Sequence, residues 1–252
     1  NLQNISAERI QAELVKLLVS PHPERIRDAY ELGLTKVILP EWDAMEGVAQ
    51  NTPHHKYDVA EHTLRALKNV KRDKILRLTM LFHDMGKPAK TTTDAEGIDH
   101  FHGPAELSAK MAKEILQRLK FDNDTIGKVT KLVKNHDRKI IPHEKYVRRV
   151  LCDLGEEIFL LLLEVKHADV MAQSTCRREE KLEELVRLRE VYEEIKAADN
   201  CFSLKQLAVS GKDLIAAGIT PGPAVGQTLS DLLDRVLEEP QLNTKEKLLD
   251  IV

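Results

Sequence analysis

A histidine and an aspartate side by side at the end of an apolar run constrain this chain more than any other feature. Residues 75–82 are mostly apolar in a helical pattern, and His83 and Asp84 follow them directly. Gly86 is of the kind that ends a helix as a C-cap, and Pro88 prevents the helix from resuming. Adjacent side chains on a helix point about 100° apart, so one metal ion can use both only where the helix ends. A neutral imidazole beside a carboxylate suits Zn, Mn, Fe and similar divalent metals.

The alternative for such a pair is structural, since a buried histidine beside a helix-terminal aspartate needs no metal. Further ligands must converge on the pair to decide between the two. One candidate is His62, in a helix that we expect Asp58 to cap, and its apolar face is formed by Val59, His62, Ala66 and Val70. The other is Asp169, in the most apolar predicted helix, Glu156–Ala172. A buried carboxylate needs a partner, which could be a metal, an arginine or a lysine.

Composition limits the classes of protein to which the chain can belong. Its 252 residues are 42% hydrophobic, 31% charged and 4% aromatic, with a net charge of −3. With almost no alternating strand pattern, these values predict an all-α fold. The charge argues against an indiscriminate nucleic-acid binder but not against local basic stripes. Lys128, Lys131 and Lys134 form such a stripe, which either tracks a phosphate backbone or is a solvated helix face.

The cysteines and the apolar segments bear on where the protein works. The three cysteines are far apart and form no CxxC pair, so we expect a reducing cytoplasm. The longest apolar run, Ile158–Val165, is too short to span a bilayer, and no signal peptide is visible. We therefore predict a cytoplasmic protein with no membrane partner. The chain begins at Asn1 without an initiator methionine, which favours a piece of a longer protein.

The order of His62, His83-Asp84 and Asp169 resembles the HD superfamily of metal-dependent phosphohydrolases. The segments DVAEHT, LFHDMGKP and HADVMAQ are similar to that family in style. The resemblance implies that these four side chains bind a divalent metal, which could be Mg, Mn, Ni, Co, Fe or Zn. It also implies metal-dependent cleavage of phosphoesters, with Asp84 and Lys87 as the catalytic candidates. Lys87 would steady phosphate charge, although a simple surface lysine fits the sequence as well.

Many HD proteins carry two further histidines that hold a second metal or contact phosphate. One of these positions matches His136. The other falls at Pro104, which has no ligand atom, so His102 or His100 would have to substitute. We therefore expect a mononuclear or weakened site.

A closer resemblance covers essentially the whole chain. NISAERIQAEL with GLTKVILPE, NTPHHKYDVAEHT and the ending KDLIAAGITPGPAVGQTLSDLL look like the bacterial tRNA nucleotidyltransferase (CCA-adding) and poly(A) polymerase family. This resemblance implies a helical neck at 1–50, an HD domain at 51–200 and a tRNA-binding tail at 201–252. It makes tRNA the expected partner, with Arg148 and Arg149 added to the lysine stripe as contacts. The family's polymerising head is marked by Gly-Ser and Asp-x-Asp, which are not found here in that role, so this chain alone should not add nucleotides.

Three functions remain open at this point. The chain could be the neck, HD domain and tail of a tRNA nucleotidyltransferase, retaining HD hydrolysis. It could be a free-standing HD phosphohydrolase acting on a nucleotide or cyclic phosphate. It could also be a non-catalytic helical body whose metal site is vestigial. The neck and tail favour the first.

Overall fold

The described fold is almost entirely helical, which confirms the all-α prediction. The computed structural model describes residues 5–50, 57–93, 99–101, 103–198 and 201–252. Strands β1 (Thr91–Thr93) and β2 (Asp99–Phe101) form a small antiparallel pair, with Thr91 opposite Phe101. The sequence, with almost no alternating strand pattern, did not indicate this pair. Its first strand is a run of threonine, a β-branched residue that favours extended backbone.

The chain divides into two compact units. Unit 1 comprises Asn1–Arg138 with Leu160–Leu185, and unit 2 comprises Lys139–Phe159 with Val186–Val252. The helices of unit 1 are α1 (Ala7–Val19), α2 (Ile26–Glu31), α3 (Thr35–Ile38), α4 (Pro40–Asp43), α5 (Val59–Asn69), α6 (Lys74–Phe82), α7 (Pro104–Arg118) and α8 (Asn123–Asn135). Unit 2 contains α9 (Glu144–Leu154), shares α10 (Glu156–Ala172) and α11 (Arg178–Ala197) with unit 1, and contains α12 (Gly211–Ala216), α13 (Pro223–Glu238) and α14 (Lys245–Asp250). Short 3₁₀ helices span Pro23–Arg25, Leu204–Gln206 and Pro240–Leu242. The neck, HD domain and tail regions stay a prediction.

Side-chain caps explain where several helices begin. Ser6 accepts a hydrogen bond from the Arg9 amide, and Asp58 accepts one from Glu61 at 2.7 Å, as predicted. Pro104 occupies the first turn of α7, where its missing N–H costs nothing. Helix α8 begins earlier than predicted, because Asp122 is the cap and accepts from the Thr125 amide at 2.8 Å.

The last helix begins after a threonine cap. Thr244, not Asn243, precedes α14 and accepts a hydrogen bond from the Lys247 amide. The side chain of Asn243 instead accepts from the Ala208 amide and donates to the Gln206 carbonyl. Asn243 therefore stabilises the loop that precedes α12 and does not cap a helix.

Gly86 is needed for a reason other than the predicted one. It does not adopt the left-handed conformation of a C-cap glycine. A Cβ atom at this position would lie 2.7 Å from the Pro104 carbonyl oxygen and 2.8 Å from the Ser108 amide nitrogen. The Gly86 amide donates to Ser108 Oγ at 2.8 Å. Only a residue without a side chain lets the turn after α6 approach the start of α7 this closely.

The predicted inward faces are buried. Val59, His62, Ala66 and Val70 of the α5 face are each at most 5% exposed, and the α8 face of Val129, Leu132, Val133 and His136 is also buried. The unit 1 core is filled by large side chains such as Trp42, Met45 and Phe82. The polar groups on these faces therefore lie among apolar side chains, where each must find a partner. Within the described residues, no helix combines the length and apolar character needed to cross a membrane.

Candidate metal centre

The four side chains predicted to bind metal converge inside unit 1. His62 Nε2 lies 2.9 Å from Asp169 Oδ1, 3.1 Å from His83 Nε2 and 3.4 Å from Asp84 Oδ2. His83 Nε2 lies 3.2 Å from Asp84 Oδ2 and 3.7 Å from Asp169 Oδ1. His62, His83 and Asp84 are at most 2% exposed, and the Asp169 side chain is 17% exposed. The ligand atoms of His62, His83 and Asp84 thus lie within 4.8 Å of one another, and Asp169 Oδ1 approaches both histidines of this group.

The end of α6 places the central pair. The helix ends at Phe82, and His83 is its C-cap residue. The His83 ring sits with Nδ1 2.7 Å from the Met80 carbonyl oxygen. Because a carbonyl only accepts, Nδ1 carries hydrogen, and the neutral ring offers the Nε2 lone pair inward. A backbone carbonyl holding the outer nitrogen in this way is usual for histidines that bind metals.

The separations fit a shared cation. Ligand atoms bound at about 2.1 Å in octahedral or tetrahedral geometry lie about 3.0–3.4 Å from one another. The separations between each histidine and the other ligand atoms run from 2.9 to 3.7 Å. A set of two imidazole nitrogens and two carboxylate oxygens presents mainly acceptors, which repel one another unless a proton or a metal lies among them. The donor set therefore fits a divalent ion held by His62, His83, Asp84 and Asp169.

Charge at the cluster is redistributed by burial and by close contacts. Burial alone would raise the pKa of Asp84, but the His83 imidazole and the Lys87 ammonium outweigh it and hold this pKa well below its ordinary value. Burial likewise opposes ionisation of Asp169, but the hydrogen bond from His62 leaves its pKa lowered. For His83, burial lowers the pKa and the neighbouring carboxylates more than compensate, so it is raised. Both aspartates are therefore held as anions, and a proton on His83 competes with a metal for them.

Lys87 is a buried neighbour of the cluster and not a surface lysine. It is 7% exposed, and its Nζ lies 2.7 Å from Asp84 Oδ2 and 2.7 Å from Gln50 Oε1. Gln50 is 5% exposed and donates in turn to the Tyr57 carbonyl at 3.2 Å. Gln50 could not be found from the sequence, because a glutamine in a loop leaves no signal of a contact with a residue 37 positions along the chain.

His136 lies on the other side of Asp84. Its Nε2 is 3.7 Å from Asp84 Oδ1, and its Nδ1 is 2.7 Å from the Val133 carbonyl oxygen. The His83 and His136 rings meet edge to face, with centroids 5.2 Å apart. His102, the other candidate for a second site, lies outside the described residues. Asp84 thus directs one oxygen to the cluster and the other towards His136.

The candidate RNA contacts lie in two places. On α8, Lys128 is 3.1 Å from Asp124 and Lys134 is 2.9 Å from Glu106, while Lys131 is half-buried. In unit 2, Arg149 is 46% exposed and pairs with Glu238.

Arg148 is 3% exposed, and it donates to the Leu237 carbonyl at 3.0 Å and to Glu144 at 2.8 Å. Its guanidinium is therefore buried, with partners on α9 and α13, and it exposes no surface that could contact a phosphate.

Comparison with known proteins shows what the chain is similar to. Residues 90–252 match the family model of tRNA nucleotidyltransferase domain 2, and residues 1–46 match that of the RNA- and SrmB-binding site of polymerase A. The chain is 32% identical to the CC-adding tRNA nucleotidyltransferase of Thermus thermophilus, over 95% of its own length and 55% of the relative's. It is 32% identical to the A-adding tRNA nucleotidyltransferase of Deinococcus radiodurans, over 90% of its own length and 54% of the relative's. It is 28% identical to the multifunctional CCA protein of an Azoarcus species, over 71% of its own length and 45% of the relative's. The chain spans about half the length of the curated relatives it matches.

Proposed function

The chain belongs to the tRNA nucleotidyltransferase family, and we propose that it is a tRNA-binding, metal-binding part of such an enzyme. The proposal rests on one observation for each activity. For tRNA, it is the match of both the N-terminal segment and the C-terminal part to models of this family. For the metal, it is the grouping of His62, His83 and Asp84, with Asp169 beside the two histidines. Nucleotide addition is not proposed for this chain alone.

The metal site supports a phosphohydrolase activity. A bound divalent ion would lower the pKa of a coordinated water and polarise a phosphoryl oxygen. The chain's own contribution is to hold the two carboxylates as anions and to place the Lys87 ammonium beside Asp84. A buried cation at that position would favour an anionic phosphoester. We propose 2′,3′-cyclic phosphates and phosphomonoesters as the substrate class.

The RNA surface that we propose includes the exposed edge of α8. Lys131 and Lys134 lie on this edge, and Lys134 is 55% exposed. The net charge of −3 means that attraction to RNA must be local. Contacts of this kind release counterions, so affinity should fall steeply as salt rises. Arg149 in unit 2 is a further candidate.

Two variants separate the two activities. The double charge reversal Lys131→Glu with Lys134→Glu should weaken tRNA binding about tenfold or more at low salt and leave metal content unchanged. His83→Ala should abolish metal binding and leave tRNA affinity unchanged. The matched control is Lys68→Glu with Lys71→Glu, which changes net charge equally at two exposed lysines of unit 1.

The proposal fails in distinguishable ways. If the control weakens tRNA binding as much as the α8 variant, the effect is one of net charge and the assigned surface is wrong. If the protein binds Mn²⁺ or Co²⁺ but cleaves no phosphoester across a panel of cyclic and linear substrates, the site is non-catalytic. If it binds neither ion, the metal site itself is wrong.

A further inference from the structure

A half-buried glutamine at the end of α10 contacts the one candidate ligand that lies far along the chain. Gln173 Nε2 lies 2.9 Å from Asp169 Oδ2, and Gln173 Oε1 lies 2.6 Å from Lys181 Nζ on α11. All three residues lie in unit 1. The contact is on the Asp169 oxygen that faces away from the histidines, since Oδ1 is the atom 2.9 Å from His62.

The chemistry of these partners fixes the orientation of the glutamine amide. A lysine ammonium only donates, so the amide oxygen must face Lys181 and the amide nitrogen must face Asp169. A carboxylate only accepts, so the opposite orientation would place the amide oxygen against the Asp169 oxygen. Lys181 therefore determines that Gln173 donates to Asp169.

The backbone of Gln173 is held as firmly as its side chain. Its amide donates to the Asp169 carbonyl at 3.1 Å, just beyond the last residue of α10. Its carbonyl oxygen accepts from the Arg178 guanidinium at 2.6 Å. Because both the amide side chain and the backbone of Gln173 are already held by hydrogen bonds, Gln173 loses little further conformational entropy when it orients Asp169.

We propose that Gln173, oriented by Lys181, is a positioning residue that makes Asp169 a one-oxygen metal ligand. With Oδ2 engaged by the amide, Asp169 presents Oδ1 to the cluster and its carboxylate cannot rotate to bind through both oxygens. Partners of this kind, one step out from the ligands, typically contribute 10–100-fold to metal affinity. The inference rests on the metal site proposed above.

The test is a ranking of four proteins by affinity for Co²⁺ alone, measured by competition with a chromophoric chelator. Gln173→Met keeps the length of the side chain and removes the donor, so affinity should fall about 10–100-fold. Lys181→Met leaves the donor in place but frees the amide to rotate, so affinity should fall about threefold to tenfold, less than for Gln173→Met. Gln227→Met is the matched control, because Gln227 donates to Asp231 at the same helical spacing and 2.8 Å, but on an exposed face of α13 in unit 2. It should match the wild type.

A second readout separates positioning from folding. Thermal unfolding of each variant in the presence of a chelator should stay close to that of the wild type, and the visible spectrum of bound Co²⁺ should change in Gln173→Met but not in Gln227→Met. Affinity of Gln173→Met within twofold of wild type overturns the inference, and so does an affinity loss matched by Gln227→Met. A wild-type protein that binds no Co²⁺ and no Mn²⁺ overturns the proposed metal site instead.

Discussion

Helices α6 and α8 are built alike at both ends, yet only one of them carries a candidate ligand pair. Each begins with an aspartate cap, Asp73 on α6 and Asp122 on α8. Each ends at a histidine with Nδ1 2.7 Å from the carbonyl oxygen three residues earlier. The backbone angles of these histidines agree within a few degrees, at −56° and −38° for His83 and −58° and −35° for His136.

The two helix ends differ in the residues after the histidine. Both helices continue into an aspartate, but Asp84 is 2% exposed while Asp137 is exposed. After Asp84, the turn closes on α7 through Gly86. After Asp137, no such turn is formed within the described residues, and Lys166 donates to the carbonyl oxygens of His136 and Arg138 at 2.9 and 2.7 Å. The local sequence thus sets the orientation of the histidine ring at each helix end. A candidate ligand pair forms only at α6, where the aspartate after the histidine is buried.

The largest expected difference between the two helix ends is in metal binding. His83→Ala should lower affinity for Mn²⁺ or Co²⁺ by at least about 100-fold, because it removes a direct ligand. His136→Ala should lower it by less than about tenfold, because its Nε2 is 3.7 Å from Asp84 Oδ1 and outside the cluster. Isothermal titration of both variants measures the difference. Equal losses would contradict the prediction, because they would mean that His136 contributes to metal binding as much as His83 does.

A pair of glycine substitutions tests the turn that buries Asp84. Gly86→Ala should lower the free energy of unfolding by about 3 kcal/mol, since the atoms that a Cβ would meet are backbone atoms that cannot move aside. Gly127→Ala in α8 has nothing within 4 Å and should raise the free energy of unfolding by about 0.8 kcal/mol. Urea unfolding measures both. A harmless Gly86→Ala would show that the close approach to α7 is not needed.

The end of α8 can be weakened through Lys166. Lys166→Met should lower the free energy of unfolding by about 2 kcal/mol, because two carbonyl oxygens at the helix end lose their donor. Lys71→Met is the control, since Lys71 is 71% exposed and its ion pair with Glu164 should contribute at most about 1 kcal/mol. The prediction is contradicted if the two variants unfold at the same urea concentration.

The smallest effect concerns the start of α8 and depends on pH. Hydrogen bonds from the Thr125 amide and hydroxyl lower the pKa of Asp122 from 3.8 to about 2. A lowered pKa means that the ionised cap stabilises the fold fully above pH 3.8, and that this stabilisation is lost as the pH falls through about 2. Asp122→Asn should therefore cost less than about 1 kcal/mol at pH 7, less as the pH approaches 2, and nothing well below pH 2. Urea unfolding of the wild type and the variant across this pH range measures the difference. A difference in the free energy of unfolding that does not change with pH would contradict the prediction.

The sequence could bring the candidate ligands to attention because each is marked by a local pattern, and their role as metal ligands stays a prediction. His62 falls on the face of α5 that includes Val59 and Ala66, and periodicity alone places it inside. The His83-Asp84 pair needed only the end of α6 to be located. Hydrophobic periodicity within one helix, and the residues that start or end that helix, are the features that a single sequence shows most clearly.

The features that could not be predicted depend on contacts between distant segments. Lys87 donates a hydrogen bond to Gln50, and Lys181 donates one to Gln173. Neither contact follows from the periodicity of the sequence. Arg148 was expected at the surface because arginine usually is, but the carbonyl of Leu237 on α13 gives its buried guanidinium a partner. The role of Gly86 is also tertiary, since the atoms it approaches belong to α7.

The discontinuity of unit 1 has a consequence for how the protein is made. Its first segment ends at Arg138 and its second begins at Leu160, so the stretch between them is synthesised before the unit is complete. A nascent chain that has released α8 already contains His62, His83 and Asp84 but lacks Asp169. Because synthesis runs from the N-terminus, and because contacts that close long loops form slowly, this cluster is assembled late. A cation can thus be held by all four side chains only after the second segment of unit 1 has been made, whereas His62, His83 and Asp84 are together on the first segment.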